Sequence, residues 1–258
     1  MDNADILALY DHEMRRGARP DSTDARIERT DKVVRQIASR EGWSGILWSD
    51  LDESDADEQI AEQIALYTAL GREFEWKTYA HDTPADLGRR LRAAGFTPDD
   101  AETLLIAETK TQLPGAEPPE GVRIEPVTDM AGVELMVRAN ERAFGRDASW
   151  LRDLLRVRLA QDPDVIVAVV ALAGDEPVSS ARMELIPGTR FAGLWGGGTV
   201  PEWRGRGVYR ALIAHRARIA AARGYEFLQV DASEDSRPIL EGLGFAKLST
   251  TTPYLYTP

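Results

Sequence analysis

The sequence contains no cysteine. Disulfides, thiolate metal sites and cysteine nucleophiles are excluded together. Histidine is scarce as well. His12, His81 and His215 are dispersed, with no metal-ligand spacing and no serine elbow, so neither a bound metal nor hydrolase chemistry is expected. No apolar run approaches the roughly 20 residues that span a bilayer, so no membrane association is expected. The opening Met1–Asp5 has no basic n-region and no apolar stretch after it, which predicts a cytoplasmic protein. Positive charge is in deficit: 31 Lys and Arg against 43 Asp and Glu leave a net charge of −12. That balance argues against a nucleic-acid partner, which requires clustered cations.

What is present is an ordinary globular composition. The chain has 258 residues, 43% of them hydrophobic, enough for one large domain or two modest ones. Asp164–Leu172 is a β-branched apolar run and reads as a buried strand. Gly174–Pro177 signals a turn, Val178–Ile186 a second strand, Pro187-Gly188 another turn and Phe191–Thr199 a third strand. The chain then reads Val200-Pro201-Glu202-Trp203-Arg204-Gly205-Arg206-Gly207-Val208-Tyr209 and enters a helix over Arg210–Arg223. Glycines let successive N–H groups converge, a helix start adds unpaired donors and a positive dipole end, and arginines add fixed charge. Those are the requirements of a pyrophosphate site. Glu226–Asp231 is a further strand, Ser236–Gly242 a short helix, and Leu243-Gly244-Phe245 leads into a last strand near Tyr256. Gly196-Gly197-Gly198 marks either a bulge where backbone and ligand approach closely or a weakened strand.

This order of parts resembles the GNAT (GCN5-related N-acetyltransferase) superfamily. The Gly/Arg loop is similar to its acyl-CoA loop, Gln/Arg-x-x-Gly-x-Gly/Ala, with Arg204 in the first position and Gly207 in the fourth. Leu243-Gly244-Phe245 resembles the triplet that closes many of its domains. The resemblance covers Val122–Tyr256 and implies an α/β (α+β) fold with a mixed, mostly antiparallel sheet flanked by helices. It also implies acetyl-CoA as acyl donor, lying between the splayed strands Phe191–Val200 and Glu226–Asp231. Gly198, Thr199 and Val200 would face its pantetheine arm. Gly205, Arg206, Gly207, Val208 and Tyr209 would offer N–H groups to its pyrophosphate. Tyr209 stands where the family has Gly or Ala, its ring lying either along the cofactor or on the helix exterior.

The first half repeats features of the second. Gly71-Arg72-Glu73-Phe74 parallels Gly224-Tyr225-Glu226-Phe227, and Ala94-Gly95-Phe96 parallels Leu243-Gly244-Phe245. Each block follows an amphipathic helix, Asp57–Leu70 or Arg210–Arg223. A tandem arrangement is therefore expected: a degenerate GNAT-like domain over 1–111, a Pro/Gly-rich linker over 112–121, and an acyl-CoA-binding domain over 122–258. After the first-half strand Gly45–Trp48 the chain reads Ser49-Asp50-Leu51-Asp52-Glu53-Ser54-Asp55, whose carboxylates would repel a pyrophosphate and suit helix capping instead. That half is read as structural or as one wall of an acceptor cleft. Helices are also expected over Ala4–Arg16 and Asp24–Arg40, and another over Asp129–Phe144.

The resemblance further implies direct attack by an amine on the thioester, with no protein nucleophile, and a small-molecule primary amine as partner. Glu184 is the first candidate for the general base; its other reading is a solvent-facing carboxylate paired with Arg182. Asp231 is the second, with a strand-end cap as its other reading. Glu141 lies on the acceptor side. Many relatives place a thiolate-protonating Tyr before the closing triplet, but Leu240 stands there, leaving Ser233 or water to assist. Trp195 could stack on a ligand or pack in the core. A catalytically silent acyl-CoA-binding or scaffold protein is the alternative function.

Overall fold

The computed structural model describes residues 1–39, 42–111 and 117–258. In chain order the elements are α1 (Asn3–Tyr10) with a π-helical extension (Asp11–Arg16), β1 (Arg26–Arg29), β2 (Val33–Ile37), β3 (Gly45–Ser49), α2 (Ala56–Ala69), β4 (Phe74–Tyr79), α3 (Leu87–Ala93), β5 (Thr97–Pro98) and β6 (Glu102–Glu108). There follow β7 (Val122–Pro126), α4 (Met130–Phe144), α5 (Ser149–Gln161), β8 (Ile166–Ala173), β9 (Glu176–Leu185), β10 (Phe191–Thr199), a 3₁₀ turn (Pro201–Trp203), α6 (Val208–Ala222), β11 (Phe227–Ala232), α7 (Arg237–Gly242) and β12 (Ala246–Tyr256). Two compact units result. Unit 1 comprises Met1–Leu105, Asp231–Arg237 and Lys247–Pro258; unit 2 comprises Ile106–Val230 and Pro238–Ala246. The final strand thus belongs with the N-terminal half. Of the expected linker, residues 112–116 lie outside the described residues.

In unit 2, β7, β8, β9 and β10 form an antiparallel ladder, and β11 joins β10 in parallel. β8 is apolar throughout because helices cover both of its faces. Ile166, Ala168, Val170 and Leu172 pack under Val133, Met136 and Val137 of α4 and Leu151 and Leu155 of α5. α4 starts where the Asp129 carboxylate accepts the Gly132 N–H and stops at Gly145, whose φ is 66°. α5 is absent from the sequence expectations, although Leu151, Leu155 and Leu159 recur on one helical face.

In unit 1, β1, β2 and β3 are antiparallel, β4 runs parallel to β3, and β12 pairs antiparallel with β4 and β5. Ile46, Ile60, Tyr67, Phe74, Trp76 and Leu91 fill its core, with the Tyr67 and Phe74 rings stacked at 4.1 Å. The expected helix over Asp24–Arg40 is not formed: the chain makes the hairpin β1–β2 there, and Arg40 itself lies outside the described residues. Val33, Val34 and Ile37 are β-branched, and Thr30 closes the turn by accepting the Val33 N–H on its hydroxyl. The hairpin's charged residues pair across the strands: Arg35 meets Glu28 at 2.7 Å.

Candidate functional site

The turn from β10 into α6 carries a row of unused donors. Gly205 and Gly207 have φ of 74° and 89°, which L side chains adopt at a cost. The first amide of this stretch bonded within the chain is Ala211 N, to Gly207 O at 3.0 Å. Among the described residues the N–H groups of Gly205, Arg206, Gly207, Val208, Tyr209 and Arg210 have no partner. The two flanking arginines divide their roles. Arg204 donates Nε to Thr199 O at 3.1 Å and Nη2 to Ala143 O at 2.8 Å, binding the turn to β10 and to α4. Arg206 lies over the Trp203 ring at 4.8 Å and has no ion pair among the described residues. Arg204 therefore shapes the loop, and Arg206 supplies available charge.

The parallel pairing of β10 with β11 covers Phe191, Ala192 and Gly193, opposite Phe227, Leu228 and Gln229, and then stops while β10 continues to Thr199. Beyond Gly193 the strands part. The β9–β10 register shifts between Trp195 and Gly198, so the ladder is interrupted at the glycine triplet. Each of its glycines admits a neighbour. A Cβ would lie 3.3 Å from Arg182 Nη1 at Gly196, 2.8 Å from Tyr209 Cε2 at Gly197 and 2.6 Å from Phe144 Cε2 at Gly198. Tyr209 thus lays its ring against this stretch of β10. Bonded and non-bonded positions alternate along an antiparallel ladder. Val200 N–H bonds Val178 O at 3.0 Å, so Thr199 turns its N–H to the side that β11 vacates. Val200 uses both backbone groups internally, its carbonyl accepting Trp203 N–H at 3.0 Å.

Residues 133–245 match the Acetyltransferase (GNAT) family. A GCN5-related N-acetyltransferase from Kribbella flavida superposes with a TM-score of 0.72 at 17% identity, covering 99% of this chain and 96% of that one. The fold is a GNAT fold. A GCN5-related N-acetyltransferase from Sphaerobacter thermophilus gives a TM-score of 0.60 at 14% identity, with 89% and 81% covered. A tandem GNAT protein from the clavulanic acid biosynthesis pathway, solved without acetyl-CoA, gives 0.61 at 13%, with 99% and 95% covered. No curated protein matches the chain. Among the described residues no helix is long and apolar enough to cross a membrane.

In this GNAT fold Glu184 stands on β9 opposite Gly193, where the strands begin to part. Its Oε1 lies 3.5 Å from Arg182 Nε, and its side chain is 25% exposed. Glu141 accepts the Ala148 N–H at 3.4 Å, bracing the α4–α5 connection. Asp231 and Ser233 fall in unit 1. The Asp231 side chain is 6% exposed and bonded to Lys77 Nζ at 2.6 Å, with Thr251 Oγ1 at 3.4 Å. Ser233 is exposed, and its carbonyl accepts Arg237 N–H at 2.9 Å to start α7. Leu240 is fully buried on α7.

Sequence reasoning missed three features. Trp150 arrives on the unforeseen α5. Arg216 is buried, donating Nη1 to Arg182 O at 2.8 Å, and burial lowers its pKa to about 10. Gln229 is buried with its Oε1 unpartnered. Only the leucine spacing of α5 was available as a signal.

Proposed function

We propose that this protein is an N-acetyltransferase that moves the acetyl group of acetyl-CoA to a primary amine of a small molecule. The observation that carries this reading is the run of unpartnered N–H groups from Gly205 to Arg210, beside Arg206 and at the mouth of the parted strands β10 and β11. The donor chemistry fits a pyrophosphate: convergent amides, a helix N-terminus and a free guanidinium. Acetyl-CoA supplies the activated thioester. Thr199 N–H, on the vacated side of β10, would hold the carbonyl oxygen as it gains negative charge. Glu184 would take a proton from the ammonium form of the acceptor, directly or through water. The amine nitrogen would then bond to the acyl carbon, the carbon–sulfur bond would break with sulfur keeping the electron pair, and the second nitrogen proton would pass to solvent or to the departing thiolate. A thiol of pKa about 8.5 leaves as thiolate without an acid in the position of Leu240.

We read unit 2 as the acyl-CoA-binding domain and unit 1 as a GNAT-like copy that holds no anion. The support is topological. Unit 1 repeats three antiparallel strands, a helix and a parallel strand, and its parallel pairing stops after Gly45–Glu75 and Ile46–Trp76.

Calorimetric titration of acetyl-CoA tests the reading. Wild type should bind with one site per chain. Arg206→Ala should weaken binding by about tenfold, the scale of one charge-assisted contact. Gly207→Val should remove it, because a β-branched side chain at φ 89° misaligns the amide row. Absence of wild-type binding, or unaltered binding by a folded Gly207→Val protein, would overturn the proposal.

A further inference from the structure

Two adjacent cross-strand rows on the α5-covered face of unit 2 carry unusual chemistry. One runs Ile166–Glu184–Gly193–Gln229, the other Ala168–Arg182–Trp195. Arg182 is only 11% exposed in its side chain, yet its guanidinium carbon lies 5.5 Å from the Trp150 ring and 5.6 Å from the Trp195 ring. Its Nε is buried without a hydrogen-bond partner; Glu184 at 3.5 Å is an ion-pair neighbour only. Gln229, 4% exposed, has its Oε1 buried and unpartnered. Its Nε2 fills the space that a Cβ at Gly193 would need, at 2.8 Å. Trp150 and Trp195 themselves are 49% and 39% exposed.

Buried polar groups left without partners are costly and rare. Here the two orphans are of opposite kind, a cationic donor on Arg182 and a neutral acceptor on Gln229, and a carboxylate stands between them at Glu184. A plain amine would complete only the Gln229 and Glu184 side. A plain acid would complete only Arg182. A molecule bearing both groups a few bonds apart completes both, with its charges opposite to those of the site.

We propose that the acceptor is an amino acid, its carboxylate held by Arg182 between the two indoles and its amine by Glu184 and Gln229. The inference rests on the acetyltransferase reading above. The arginine fork matches a carboxylate with two parallel hydrogen bonds. The indole walls keep water from that contact and offer apolar surface to the side chain of the amino acid. The amine is thereby delivered to Glu184, opposite the point where β10 and β11 part.

The test is thiol release from acetyl-CoA with each proteinogenic amino acid and its carboxamide, accompanied by acetyl-CoA calorimetry. At least one free acid should exceed its amide by about tenfold or more in kcat/KM, the scale of a charge-assisted hydrogen bond. Arg182→Gln should abolish that preference while acetyl-CoA binding persists. Arg182→Lys, which keeps the charge and not the fork, should raise KM with less effect on kcat. Acetyl-CoA binding with no preference for the free acid, or with no turnover of either series, overturns the inference and leaves the acetyltransferase reading standing. A preference that survives in a folded Arg182→Gln protein also overturns it. Failure of wild type to bind acetyl-CoA removes both.

Discussion

Two strand-to-helix turns in this chain treat their backbone donors in opposite ways. At the turn from β10 to α6 the amides from Gly205 to Arg210 are open. At the turn from β3 to α2 the chain's own carboxylates take three backbone donors, while among the described residues the Asp57 and Glu58 amides of the first helical turn stay open. Asp52 Oδ1 accepts Ser54 N–H at 2.7 Å and Asp55 N–H at 3.2 Å, Asp55 Oδ1 accepts Asp52 N–H at 2.8 Å, and Lys32 pairs with Asp55 at 2.7 Å. The carboxylates do not cap α2 directly, since the Asp55 side chain turns back onto Asp52 and Lys32 instead of reaching into the helix. Similar strand–helix geometry thus leaves a longer row of open amides in one place and a turn largely closed by its own carboxylates in the other. Glycine and arginine leave donors available; aspartate consumes them.

The contrast extends to buried charge. Unit 1 closes Arg15 into pairs, although its Arg237 Nε and Ser49 Oγ are buried without partners. Arg15 holds Asp82 at 2.7 and 2.9 Å, Asp11 at 2.8 Å and Leu47 O at 3.1 Å, with its guanidinium 3.8 Å over the Tyr79 ring. Unit 2 keeps Arg182 and Gln229 incompletely bonded. Stability should therefore respond most to unit 1, and binding to unit 2.

The largest effect should come from Arg15→Met. It strands the Asp82 carboxylate, whose side chain is 4% exposed, and should lower unfolding free energy by about 3–5 kcal/mol in denaturant titrations. Burial already holds the Asp82 pKa above its ordinary value against the opposing effect of Arg15. Part of the loss should therefore return at mildly acidic pH, where the stranded carboxyl takes a proton. A loss that does not depend on pH would show that packing, rather than charge, is the contribution of Arg15.

A smaller effect should follow Asp52→Ala. It frees the Ser54 and Asp55 amides at an exposed turn, and a modest drop in melting temperature is expected with acetyl-CoA stoichiometry unchanged. A second binding site appearing in calorimetry would mean that the carboxylate-closed turn alone separates the two regions.

The smallest should be Glu102→Gln. Burial, aided by nearby Asp231 and Glu75 and opposed by Lys77, raises the Glu102 pKa from 4.5 to about 6. The native state then holds this proton more tightly than the unfolded chain, so the stability from protonated Glu102 is present below the unfolded pKa and declines as pH rises toward 6. The variant should melt slightly higher than wild type at pH 7–8, with the gap closing below about pH 5. A gap constant across that range would assign the effect to something other than ionisation.

Much of the β10–α6 region was legible because it is local. β10 runs over Phe191–Thr199 as its residues predict, and the Gly/Arg run leads straight into α6. The hairpin within Asp24–Arg40 was not legible, because strand register and not position along the chain decides that Glu28 faces Arg35. Arg204 belongs to the legible motif, but its work was not legible. Its partners are the carbonyls of Thr199 and Ala143, and the second of these lies far away in sequence.

The sequence by itself determined the unit 2 elements from β8 to β11, the open turn, the carboxylate-closed turn and the absence of thiol chemistry. Strand periodicity, glycine backbone freedom and side-chain charge act over a few residues and are written in order along the chain. Only the tertiary structure decided that the last strand joins the first unit, that Lys77 claims Asp231, and that Trp150, Arg182, Trp195 and Gln229 share one face. Those contacts depend on strand register and on which helix covers which face. Both are set by burying the whole apolar surface at once, so no single segment contains them.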